Sequence, residues 1–256
     1  MARTASKSSP YETVEQGNIY FIYRPRVEET DPEGIDDIQQ LHVVLAPEGQ
    51  KLFRLINVGR KRLPDVEEHE RHWGYVEAIT KSGEELEEGL RRETYGTKTR
   101  GERVQPAARP AGEGVYALVR RDEALHLAYD LELPEEGGPV QEALNIAPKA
   151  SFVLSVRNPE KGAPRTAGRS REDQPDYPKE LQEDFGNRRF ASGDPRLLDY
   201  EGAEILLVGT RSDPERAYKI DLEAEDEDEG SAEIFKELRF AKSRHPARPL
   251  LSGEWA

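Results

Sequence analysis

An α+β protein dominated by antiparallel strands, with about four short helices, is the fold that this sequence predicts. Three observations carry that expectation. The stretch Arg109 to Pro134, R-P-A-G-E-G-V-Y-A-L-V-R-R-D-E-A-L-H-L-A-Y-D-L-E-L-P, has the spacing of a β-hairpin. Segments of the first half resemble segments of the second in the same order, which points to an internal duplication. Helical spacing is confined to short segments separated by polar, proline- and glycine-bearing runs.

In the hairpin, Leu125, Leu127, Tyr129, Leu131 and Leu133 alternate with His126, Ala128, Asp130 and Glu132, so one face is apolar and the other mostly polar. Val115 to Val119 is an apolar run of strand length, and the polar Arg120-Arg121-Asp122-Glu123 between the two runs has the length of a hairpin loop. The glycine-bearing Ala111-Gly112-Glu113-Gly114 before it reads as a turn.

Along the chain, the first strand is Asn18 to Arg24, rich in aromatic and β-branched residues and ended by Pro25. Residues 28–37 form an acidic loop. Leu41 to Leu45 is a second strand, closed by the turn Ala46-Pro47-Glu48-Gly49, and Leu52 to Val58 is a third. Gly59 to Pro64 breaks it, Asp65 to Glu70 suits a helical turn, and Trp73 to Ile79 is a fourth strand. Ser82 with Glu85 three residues on has capping-box spacing for a helix whose Leu86 and Leu90 share a face. After the hairpin, Pro139 to Leu144 suits a short helix with proline at its first position. Ser151 to Val156 and Ala203 to Val208 read as strands, Pro178 to Phe185 as a helix, and Tyr218 to Leu222 as a further edge strand. The like-charge run Asp221 to Glu229 is expected to be solvated and mobile. Ser231 caps a last helix running through Phe240, and the tail from His245 docks through Leu250, Leu251 and Trp255.

The duplication pairs Gly17–Arg24 with Gly112–Arg120, Leu41–Pro47 with Leu125–Pro134, Phe53–Lys61 with Phe152–Lys161, and Tyr75–Ile79 with Ala203–Val208. It predicts two similar β-rich units, residues 17–95 and 112–222, with a groove between them where pockets are favoured. Residues 1–16 are then a disordered arm, 96–111 a linker, and 223–256 an acidic loop, a helix and a docked tail.

Composition excludes several function classes. The chain has 256 residues, 51 acidic against 37 basic, and a formal net charge of −14, which opposes general nucleic-acid binding. With no cysteine, disulfides, thiolate metal sites and cysteine nucleophiles are excluded. No apolar run approaches the roughly 20 residues of a membrane span, and the first ten residues lack the apolar core of a secretory signal. The expected location is the cytoplasm, and no cofactor is expected. The residues 97–103, T-K-T-R-G-E-R, lack the frame of a phosphate-binding loop, and the chain has no G-x-G-x-x-G and no G-x-S-x-G.

Candidate binding residues are basic. Arg60, Lys61 and Arg62 form the densest cluster, placed after a strand where guanidinium forks and turn amides can hold an anion. Residues 91–121 carry eight basic groups against three acidic ones, with Arg100, Arg103 and Arg109 leading into the hairpin, and residues 157–171 carry five against one. Each can serve an anionic ligand or neutralise the chain's own acidic segments, above all 221–229. His69 and His72 are spaced for a metal but lack other placed ligands. His42 and His126 hold matched positions in the two proposed repeats and are the candidates for acid–base work.

The segments G-N-I-Y-F-I-Y-R-P-R-V, V-G-R-K-R-L-P-D, R-P-A-G-E-G-V-Y-A-L-V, L-D-Y-E-G-A-E-I-L-L-V-G and the ending L-S-G-E-W-A resemble those of a group of uncharacterised bacterial proteins. The resemblance covers nearly the whole chain. It implies a free-standing bacterial protein and transfers no activity and no functional residue. The residues themselves favour a non-catalytic protein that binds another protein or an anionic small molecule. The alternative is a hydrolase or nucleotide-processing enzyme working in the inter-repeat groove, and a third reading is an RNA-associated factor with its basic loops on one face.

Overall fold

Strict alternation organises the molecule. In β1 (Glu12–Pro25), Ile19, Phe21 and Tyr23 enter one core while Tyr20 and Ile22 enter another. In β2 (Ile38–Pro47), Leu41, Val43 and Leu45 join the first core and Val44 and Ala46 the second. Strands buried on both faces belong to a sheet that is covered on both sides, and here the sheet closes on itself. The computed structural model describes residues 10–99, 101–161, 174–191 and 193–256.

The barrel has eight antiparallel strands. β3 (Phe53–Val58) and β4 (Arg71–Thr80) continue from β2, and β7 (Arg109–Arg121), β8 (Ala124–Leu133), β9 (Lys149–Arg157) and β11 (Glu204–Arg211) supply the rest. The two meanders meet where β1 pairs with β7 and where β4 pairs with β11, and β8 pairs with β9 to complete the ring. A two-residue strand, β10 (Phe190–Ala191), adds to β9, and β5 (Glu93–Thr97) with β6 (Gly101–Gln105) forms a separate hairpin.

This closure corrects the α+β expectation. The halves are not two units with a groove between them. Each contributes four strands to one barrel, and the two lines where they meet are hydrogen-bonded ladders. The topology does not by itself establish a duplication. Among the described residues six short helices decorate the outside and the ends: α1 (Gly83–Leu90), α2 (Pro139–Leu144), α3 (Lys179–Phe185), α4 (Pro214–Tyr218), α5 (Glu233–Lys236) and α6 (Arg248–Ser252). The edge strand expected at 218–222 is instead the end of α4 and the extended chain after it, and the helix expected through Phe240 stops at Lys236. The Gly112–Gly114 stretch lies inside β7, with a bulge at Glu113/Gly114, rather than in a turn. Glycine is required there, because a Cβ on Gly114 would stand 2.1 Å from the Asp130 carbonyl oxygen.

The interior is filled. Phe21, Leu127, Tyr129, Phe152, Leu154 and Ile205 leave a void of about 10 Å³, room for no more than about one water. At one end α2 inserts Val140 and Leu144 into the core. Its Gln141 holds three segments together, accepting from Gly138 N and donating to the carbonyls of Ala111 and Pro249. At the other end α3 contributes Leu181 and Phe185, and a 3₁₀ turn contributes Leu197 and Leu198. The capping expected for α1 is present, with Ser82 Oγ accepting from Glu85 N at 3.2 Å.

Candidate functional site

A cleft of about 320 Å³ lies on the barrel's flank. Its floor is β1 around Gly17 and β7 around Tyr116. One wall is the turn after β2, from Ala46 to Gln50, and the other is the extended chain after α4, Asp221 to Glu223. Glu237, just beyond α5, closes it. The four carboxylates Glu48, Asp221, Glu223 and Glu237 reach it from three separate segments, and none of its described lining residues is lysine or arginine. Two of the carboxylates are held in place by side chains of β1. Glu48 accepts from Gln16 Nε2 at 2.9 Å, and Glu237 accepts from Asn18 Nδ2 at 3.2 Å and from the Tyr20 hydroxyl.

The acidic wall is strapped to the barrel by further carboxylates. Leu222 packs in the small cluster over Ala117, Val119 and Ala128. Glu132 on β8 accepts from Glu225 N at 2.8 Å. Glu113 on β7 is 1 % exposed and accepts the backbone N–H groups of Glu233 and Ile234 at the start of α5. Burial, with Glu227 hydrogen-bonded beside it, pushes the Glu113 carboxyl up to about 9. Burial also raises Glu132 to about 7. The run expected to be solvated and mobile therefore touches the barrel at defined points. Glu113 was hidden in the sequence between two glycines, with nothing to mark it as buried.

The predicted basic residues gather elsewhere. Arg60 is exposed, Lys61 donates to the Ile38 carbonyl, and Arg62 pairs with Glu70 at 2.7 Å. Arg103 stands 3.5 Å from Glu28, and the Arg109 Nη2 donates to the Thr30 carbonyl. Arg100 lies outside the described residues, as do Arg165, Arg169 and Arg171 of the third basic region. Lys61, Arg103 and Arg109 thus contact the segment from Glu28 to Ile38, which holds the first acidic loop, instead of the 221–229 run. That run finds Lys242, which pairs with Glu229.

The histidines serve different ends. His69 Nδ1 meets the Gly209 carbonyl and His72 Nδ1 the Arg62 carbonyl, so the two rings turn to separate partners; no metal-binding group of three occurs among the described residues. His42 is fully enclosed on the outer face of β2 with neither ring nitrogen hydrogen-bonded, and burial, with Arg24 nearby, lowers it to about 3. His126 Nδ1 lies 3.1 Å from the Tyr218 hydroxyl, which lies 3.0 Å from Ser151 Oγ. Burial, then Arg121 and Arg211, lower the His126 pKa. Ser151 is 0 % exposed, so this chain of hydroxyls ends inside the protein.

No family model, no curated protein and no solved structure matches this chain.

Proposed function

We propose that the protein acts by non-catalytic binding, and that its flank cleft receives a lysine- or arginine-bearing segment of another protein. The observation that carries this reading is the cleft itself: about 320 Å³, with four carboxylates from three segments and no cationic residue in its described lining. A cavity of that volume lies in the range of ligand sites, and converging carboxylates favour a cation over a neutral or anionic group. The chain's net charge of −14 steers such a partner towards it. No described helix is long and apolar enough to cross a membrane. The acid–base alternative rests on the His126–Tyr218 contact, which points into the protein, and no histidine lines the cleft.

Titrating the full chain with a fluorescent lysine-rich peptide tests this reading. The expected result is saturable binding that weakens as salt rises and falls about tenfold in the double variant Glu223→Gln/Glu237→Gln, from loss of charged contacts. Equal binding of the peptide with its lysines acetylated, or no binding at low salt, would overturn it.

A further inference from the structure

A second pocket lies beside the cleft and shares Gln50 and Glu237 with it, yet it is lined by cations. It is open and of about 450 Å³. Three segments far apart in the chain build it. The turn into β3 brings Lys51, the junction of β4 with α1 brings Lys81 and Ser82, and the end of α5 brings Lys236 and Arg239. Two carboxylates, Glu84 and Glu237, also line it. Glu237 is engaged by Asn18 and the Tyr20 hydroxyl, and Lys236 by the Ser231 carbonyl and Glu233. That leaves Lys51, Lys81 and Arg239, whose side chains make no hydrogen bond or ion pair among the described residues, against Glu84 alone.

Unpaired cations are out of place on this surface. The chain has 51 acidic residues, and lysines elsewhere are matched: Lys149 contacts both Asp130 and Glu215, and Lys242 contacts Glu229. Like charges gathered round one pocket repel one another. Arg239 adds a backbone cost, because its φ of 58° lies in the left-handed region that favours glycine at a helix end. An arginine held there lowers stability. A bound anion accounts for all three cations, since each gains a charge-assisted hydrogen bond to it. We propose that this pocket binds a phosphate monoester. Three free cations less Glu84 leave an excess of two positive charges, which matches the near-dianionic charge of a monoester at neutral pH. Ammonium groups from two segments and a guanidinium from a third approach tetrahedral oxygens from separate directions. Ser82 Oγ accepts from Glu85 N, and its hydroxyl proton remains to donate to the ligand. Phe53 gives the pocket an apolar lining for the carbon side of the ester.

The site does not rest on the lysine-peptide reading, and its test is separate. The full chain is titrated with phenyl phosphate at constant ionic strength, with chloride as the reference anion, following ³¹P linewidth. The expected result is saturable broadening. The double variant Lys51→Gln/Lys81→Gln should weaken binding at least about tenfold, and Arg239→Gly should weaken it by a similar factor. Arg60→Gln, which removes a cation outside the pocket, should leave it unchanged; an equal loss there would mean bulk charge and overturn the proposal. Arg239→Gly separates binding from folding, because glycine suits that φ: its thermal midpoint without ligand should hold while its phosphate binding falls. Should the midpoint fall, the two lysines, both exposed and in turns, still have to weaken binding when replaced. Tighter binding of a phosphoserine peptide than of phenyl phosphate assigns a modified protein as the source of the phosphate, and weaker binding assigns a small-molecule ester. No saturable broadening by phenyl phosphate, or broadening unchanged in both variants, overturns the proposal.

Discussion

Arg54 shows how single residues are made tolerable inside this barrel. It takes Glu15 on one side, Asp199 Oδ1 at 2.7 Å on the other, and Glu15 accepts in turn from the Tyr116 hydroxyl at 2.8 Å. Burial works against the charge, but Glu15 and Asp199 hold the Arg54 pKa above its usual value. Removing one partner strands the others, so Arg54→Ala should lower unfolding free energy by about 3–5 kcal/mol in urea denaturation. Arg54→Met combined with Glu15→Met should lose less than Arg54→Met alone, because the double change leaves no lone charge on β1. Neither residue is legible in the sequence. Arg54 sits in a correctly expected strand, but alternation does not say that a charged residue points inward. Glu15 falls in the arm expected to be disordered. Arg109 was singled out from local charge excess, and its burial comes from its place opposite Tyr23, which no local pattern encodes.

Among the elements, the strap from Asp221 to Ser231 depends most on conditions. Its contacts run through carboxyls: Glu113 and Glu132 on the barrel, Glu225 and Glu227 on the strap. Tyr20 from β1, Asp130 from β8, and Lys236 and Glu237 from the α5 end also face this group. In the docked strap Glu113 keeps its proton up to about 9, against 4.5 for an unperturbed glutamate. The docked state therefore binds more protons than the released one across that window. Its stability is complete below about pH 4.5 and is lost as pH rises towards 9, with Glu132, raised to about 7, acting in the same direction. Amide exchange at Glu225, Glu233 and Ile234, corrected for intrinsic rates, should show protection at pH 5.5 that declines by pH 9. Glu113→Gln, which keeps a neutral group hydrogen-bonded to Glu227, should flatten that decline, and an unchanged profile would refute the account. The sequence signals the strap's like charge and hence its exposure. It does not signal that one carboxyl is protonated, because that follows from burial against β7.

At the scale of the molecule, the strands were legible and their partners were not. The hairpin of β7 and β8, the turn after β2 and the proline that ends β1 all lie where alternation and turn residues put them. Closure rests on β1–β7, β4–β11 and β8–β9, pairings between segments far apart in the chain or separated by α2. Local pattern is silent on those, and so two units were expected in place of one ring. One ring predicts one cooperative transition. Neither fragment 1–105 nor fragment 106–256 should show a cooperative melt alone, while the two mixed should recover the barrel; an independent sharp melt of either would revive the two-unit view. The ring also sets an order on synthesis. β11 is the last strand made, yet its place is between β4 and β9, both made earlier. A nascent chain short of residue 204 carries two open strand edges that only its own unfinished end can cover. The growing protein has to be kept from pairing those edges with a neighbour for as long as the ribosome takes to deliver the closing strand.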